Sequence, residues 1–198
     1  NEMVQHVYDI TYGTVRPGED TLVVIDDSIV RGTTLKESII RMLGRLKPKR
    51  IVVVSSSPQI RYPDCYGIDM SKMGDFIAFN AAVELMKERG KENCLKELLE
   101  KCKDLHRNNQ LHTENVVKQL YKQFTTEEIS AKIAKLITPA GLDIPVDVIF
   151  QTIEDLHKSC PSNLGDWYFT GDYPTPGGNK VVNKAFMNYM EGKNVRGY

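Results

Sequence analysis

Leu22-Val23-Val24-Ile25 and Ile51-Val52-Val53-Val54 are two short, unbroken apolar runs rich in β-branched residues, separated by the length of one helix. Alternating apolar and polar residues would mark a strand wetted on one side, whereas a continuous run marks a strand covered on both faces, as in parallel sheets. Between the runs, Leu35, Ile39, Met42, Leu43 and Leu46 recur at helical spacing, with Thr33 or Thr34 placed to cap and Pro48 placed to block continuation. Gly44 is expected to weaken this helix without ending it. Strand, helix and strand at this separation predict a right-handed βαβ unit, and the fold class is α/β.

Beyond residue 75 the texture becomes helical. The segments DFIAFNAAVELMKERG, CLKELLEKCKDL, VVKQLYKQF and TTEEISAKIAKLITP each read as helix. The last opens on a capping-box pattern, Thr125 facing Glu128, and stops before Pro139. A short strand, Val146 to Phe150, then precedes a small helix capped by Thr152. The expected organisation is an α/β core over residues 1–85, a helical extension over 86–160 that returns to a strand and helix, and a Gly/Pro-rich tail over 161–198. That tail, with its YPTPGGNK stretch, reads as a loop or a poorly packed extension.

Composition narrows the function classes. Lys plus Arg (26) balances Asp plus Glu (26), so no net charge recommends a nucleic-acid or membrane-surface partner. No apolar run approaches the roughly 18 residues of a membrane span, and the start lacks the order of a signal peptide. Cys65, Cys94, Cys102 and Cys160 contain no Cys-x-x-Cys pair, which argues against a zinc knuckle or a disulfide framework and fits a reducing cytoplasm. His106 and His112 lie in a polar stretch without metal-ligand spacing, and His6 and His157 stand apart. Trp167 reads as a packing anchor, with a subunit interface as the other possibility.

The chemistry concentrates where the first apolar run ends. A buried parallel strand delivers the residues after it to the carboxyl edge of the sheet, where α/β proteins bind ligands. There Asp26 and Asp27 stand side by side, leading into Ser28, Ile29, Val30, Arg31, Gly32, Thr33 and Thr34. Free N–H groups at a helix start, Gly32 for close backbone approach, and three hydroxyls suit a phosphate. The two carboxylates suit vicinal sugar hydroxyls and Mg²⁺. Neither the Walker pattern nor the Rossmann fingerprint is present. The competing structural reading makes the acids turn formers or partners of Arg31, and the threonines plain caps.

VVIDDSIVRGTT resembles the phosphoribosyl pyrophosphate (PRPP) motif of type I phosphoribosyltransferases, so the parallel sheet is expected to be part of that fold. Together with IRYPDCYGIDM at residues 60–70, VIFQTIEDL at 148–156 and FTGDYP at 169–174, it resembles the amidophosphoribosyltransferase family most strongly over residues 15–85. Arg61 offers a bidentate cation in the second motif, and Ser55 to Ser57 offer hydroxyls at a strand end. The resemblance implies the first step of de novo purine synthesis, in which glutamine-derived ammonia attacks C1 of PRPP to give 5-phosphoribosylamine. It implies that Asp26 and Asp27 serve the ribose hydroxyls and Mg²⁺, that Ser28 to Thr34 cradle the 5′-phosphate, and that no general base is needed. It also implies a homo-oligomer at full length.

The chain departs from that pattern in three places. Asn1 is not the nucleophilic cysteine that opens the family's glutaminase domain, so the 198 residues read as a C-terminal part whose ammonia comes from a domain outside them. Positions where one branch of the family holds iron–sulfur ligands carry Asp64, Gly165 and Tyr168, so no cluster is expected. Residues 90–140 are longer and more helical than the family pattern. The extra helices keep open a non-catalytic PRPP-binding regulatory module as the alternative. A type I transferase acting on a nucleobase is a weaker option.

Overall fold

Residues 13–66, 70–162 and 165–197 are described by a computed structural model. Asn1, His6 and the Gly67-Ile68-Asp69 part of the second motif lie outside the described residues. β1 (Thr21–Asp26) and β2 (Arg50–Ser55) pair in parallel from Thr21 opposite Arg50 to Asp26 opposite Ser55. β3 (Val146–Phe150) joins the other side of β2, also parallel, giving the order β1-β2-β3. The fold is α/β: a three-stranded parallel sheet with helices and a helical C-terminal part.

The β1–β2 connection begins as a π-helical stretch, Leu35–Ile39, and continues as α1 (Ile40–Gly44). Thr33 and Thr34 are both already helical, and the Thr34 side chain makes no capping bond, so neither stands at the expected cap position outside the helix. Gly44 is the last residue of α1 rather than a weak interior point, and Pro48 is not what stops the helix. A Cβ on residue 44 would lie 2.6 Å from Leu142 Cδ1, so a larger residue there would have to turn the end of that side chain aside.

α2 (Ile77–Glu88), α3 (Glu92–Arg107), α4 (Lys118–Tyr121) and α5 (Thr126–Ile137) come next, the short turn of α4 being all that VVKQLYKQF gives. The capping box forms as expected: Thr125 Oγ1 accepts from Glu128 N–H at 3.2 Å, and Glu128 accepts from Thr125 N–H at 2.8 Å. α5 packs on α2 and on β3, so Ile129, Ile133 and Ile137 join Ile51 and Val53 in one core. α6 (Ile153–Ser159) carries its predicted cap, Thr152 accepting from Asp155 N–H at 3.0 Å.

The tail is not a loop. It forms α7 (Trp167–Thr170) and the 15-residue α8 (Pro176–Met190), which packs on α3. Pro176 sits in the first turn, where its missing N–H costs nothing. Gly178 belongs inside the helix because a Cβ there would meet the Tyr173 ring at 2.3 Å. Val182, Ala185 and Phe186 are buried along one stripe, and Phe79 meets Phe186 and Tyr189 edge-on, at centroid distances of 6.2 and 4.8 Å. Each such aromatic burial contributes about 1.5–3 kcal/mol.

The expectation that the strands are covered on both faces is met on one face only. Val24, Val53 and Val148 stack under the helices, whereas Val23, Ile25 and Ile149 are 61%, 77% and 55% exposed on the other side. No described element covers that face.

Both cysteines of α3 fall on its packed side. Cys102 is fully buried, and burial, helped by the Glu114 carboxylate, pushes its thiol up to about 12. Cys160 is exposed. Since the thiolate is the reactive form, native protein treated with a thiol reagent should label Cys160 first and Cys102 only on unfolding. Simultaneous labelling, read by mass spectrometry, would refute this packing. Among the described residues no helix is long and apolar enough to cross a membrane.

Candidate functional site

Asp26 is the final residue of β1, and the end of β2 pins it. Ser56 N–H donates to the Asp26 carbonyl at 2.9 Å, and the Ser56 hydroxyl lies 3.3 Å from the carbonyls of both Asp26 and Asp27. Each acid then accepts the amide of the residue after it, Asp27 N–H to Asp26 Oδ1 at 3.1 Å and Ser28 N–H to Asp27 Oδ1 at 2.8 Å. Partial burial holds the Asp26 carboxyl above the usual aspartate value, and the neighbouring Asp27 carboxylate pushes it the same way. The cation inside the loop relieves neither acid, because Arg31 pairs with Asp75 at 2.9 Å.

The loop after these acids is fastened at both ends. Ile29 and Leu35 are buried, Ile77 N–H donates to the Val30 carbonyl at 2.7 Å, and Lys36 N–H donates to the Gly32 carbonyl at 3.0 Å. Gly32 has φ +70°, and a Cβ there would lie 2.5 Å from Ile77 Cδ1 and 2.8 Å from Ile137 Cγ2. The glycine thus serves the core as well as the loop. Asp26 and all of Ser28 to Thr34 line one cleft of about 640 Å³, together with Leu35, Ile39 and Met70. Asp27 belongs to the same turn but is not among the lining residues.

Met70 and Asp75 were given no role by the sequence, and Ser56 only that of a strand-end hydroxyl. Met70 closes the second motif with φ +51°, a turn that no sequence pattern announces. Ser56 was legible only as one of three serines, and Asp75 gave no signal. Elsewhere in the second motif, Arg61 donates from Nε and Nη2 to Gln59 Oε1, at 3.1 and 2.7 Å, and Tyr62 packs edge-on against Tyr121 at 5.3 Å. His157 lies 3.0 Å from an Asp166 carboxylate, while His106 and His112 are exposed. Trp167 meets Tyr66 edge-on at 6.2 Å.

Asp26 in the cleft and Asp27 beside it, with no cation paired to either among the described residues, could hold a Mg²⁺ ion that takes its other ligands from water and a bound anion. Among the described residues no cluster of three or more His, Cys, Asp or Glu could form a fuller metal cage.

No family model matches the chain. Among curated proteins, the amidophosphoribosyltransferase of Haemophilus influenzae is 41% identical over 70 residues, which is 35% of this chain and 14% of that protein. The amidophosphoribosyltransferase of Escherichia coli is 39% identical over 70 residues, with the same two shares. That of Saccharomyces cerevisiae is 40% identical over 67 residues, 34% of this chain and 13% of its own length. A third of this chain is amidophosphoribosyltransferase-like. Relatives named amidophosphoribosyltransferase thus occur in both bacteria and yeast, and the matched stretches take in only about a seventh of their length.

Proposed function

We propose that these residues are the sugar-phosphate-holding part of an amidophosphoribosyltransferase, making 5-phosphoribosylamine from PRPP and ammonia at the start of purine synthesis. The observation that carries this reading is the lining of one cleft, at the carboxyl end of β1, by Asp26 and the unbroken run Ser28 to Thr34. In this reading the loop amides and the hydroxyls of Ser28, Thr33 and Thr34 donate to the 5′-phosphate, and Arg31 adds positive charge. Asp26 and Asp27 accept from the ribose hydroxyls and are the residues that would hold Mg²⁺, which when bound stabilises charge on the departing pyrophosphate. Ammonia attacks C1 as the bond from C1 to the pyrophosphate oxygen breaks; the bonding pair leaves with pyrophosphate, and the ammonium formed at C1 gives up a proton to solvent. The chain's contribution is position and charge rather than proton transfer.

In the same reading ammonia is released by a glutaminase domain outside these 198 residues. Glutamine-dependent phosphoribosylamine formation by this chain alone would refute that part. No iron–sulfur cluster belongs to the proposal, and stoichiometric iron in anaerobically purified full-length protein would overturn it.

The test is Asp26→Asn with Asp27→Asn in the full-length enzyme. Losing two charge-assisted contacts should weaken Mg²⁺-dependent PRPP binding by about 100-fold or more, and unchanged calorimetric affinity would defeat the assignment. The pH dependence has a definite sign. Because the Asp26 pKa is raised, its carboxylate takes a proton at a higher pH than an ordinary aspartate does, and the protonated acid ligates poorly. Affinity should therefore fall on acidification from above the usual carboxylate range, and the double Asn variant should lose that dependence.

A further inference from the structure

A second cavity, of about 500 Å³, lies between α5 and the edge strand β3. Its size falls in the range of small-molecule pockets, roughly 300–1,000 Å³. Val148 and Phe150 of β3, Ala131 and Ala134 of α5, and Phe169 of α7 give it apolar walls. Arg61 is the only cationic side chain among the described residues lining it.

Arg61 is fixed by neutral partners. Besides its two bonds to Gln59 Oε1, its Nη2 donates to Thr126 Oγ1 at 3.2 Å, and its guanidinium carbon lies 5.2 Å from the centre of the Tyr121 ring. Gln59 is itself 3% exposed and locked in turn, its amide donating to the Thr126 carbonyl at 2.9 Å and to Ser130 Oγ at 2.8 Å. No described carboxylate pairs with Arg61, and its Nη1 has no partner among the described residues. A guanidinium held rigid by a buried amide, with charge and donors unused, is preorganised for an anion from outside the fold.

The other charges at the cavity define which anion. Asp147 is taken by Arg50 at 3.2 Å, but Glu127 and Glu154 stand exposed at the rim. Two rim carboxylates penalise a phosphate dianion more than a single carboxylate. The apolar walls call for a ring or a branched alkyl body.

We propose that this cavity binds a small organic monoanion, with an aryl or branched-alkyl body against Phe150 and Phe169 and its carboxylate on Arg61. The site is separate from the Asp26 cleft and takes a ligand without phosphate. Calorimetry on this chain with phenylacetate, phenylacetamide and phenyl phosphate tests it. Phenylacetate should bind at one site, with the neutral amide weaker by about tenfold or more and phenyl phosphate weaker as well. Arg61→Gln should erase the preference for acid over amide. Because Arg61→Gln also disturbs Gln59, a second variant is needed: Ala131→Trp, at an exposed position of α5, should fill the cavity and abolish binding with an unchanged circular dichroism spectrum. Absence of phenylacetate binding, equal affinity for acid and amide, tighter binding of phenyl phosphate, or binding that survives Ala131→Trp would each overturn the proposal.

Discussion

Asn183→Leu should destabilise the chain by about 3–9 kcal/mol, read from the shift of its urea unfolding midpoint. Asn183 sits fully buried on α8 and clamps the segment between α3 and α4. Its Nδ2 donates to the carbonyls of Leu111 and Glu114 at 2.9 and 2.7 Å, and its Oδ1 accepts from Val116 N–H at 3.0 Å. Leucine has nearly the same volume, so little cavity forms and the loss is in hydrogen bonding. Three backbone groups lose a partner at a buried junction, at about 1–3 kcal/mol for each one orphaned. Against a typical total stability of about 5–15 kcal/mol, that is enough to unfold a marginal domain. Asn188→Leu is the control. Asn188 makes one bond, to the Arg196 carbonyl at 3.0 Å, so its loss should cost about 1–2 kcal/mol. Equal effects from the two variants would show that the clamp has no special weight.

The second large effect belongs to Gly32→Ala. The backbone there is left-handed, which costs an L-residue about 1–2 kcal/mol, and the new Cβ would collide with Ile77 and Ile137. Ile77 Cδ1 is the end of a side chain and can turn away, but Ile137 Cγ2 is fixed on a branched Cβ. Strain and overpacking together should cost about 2–4 kcal/mol. Relief by displacing the loop would pull the amides of Arg31 to Thr34 out of register, so under the proposed function PRPP affinity should fall even where the variant remains folded. Gly13→Ala separates the two causes. It shares the left-handed backbone (φ +86°) but has no described atom within 4 Å of its would-be Cβ, so the strain is what remains. Identical losses at residues 13 and 32 would remove packing from the explanation.

These positions show where sequence reasoning reached and where it stopped. The strands, the acidic turn at the end of β1 and the Thr125 and Thr152 caps were legible because each depends on residues adjacent or three apart in the chain. The tail misled because PGG reads as a turn by local chemistry, whereas its place in a helix depends on the Tyr173 ring filling the space beside Gly178. Within the cleft, the run Ser28 to Thr34 was visible as a motif, but the Arg31–Asp75 pair spans 44 residues and leaves no mark on either local stretch. Asp27 was legible as an acid beside Asp26, not as the one outside the cleft lining.

The uncovered face of the sheet has a calorimetric consequence. Unfolding raises heat capacity because apolar side chains meet water for the first time, typically by about 12–15 cal/mol/K per residue. In this chain Val23, Ile25 and Ile149 are largely exposed in the folded state, so their hydration is already present before the transition begins. The folded chain thus already carries the hydration heat capacity of these three side chains, and burying any of them in an added partner should show as a negative heat-capacity change of association.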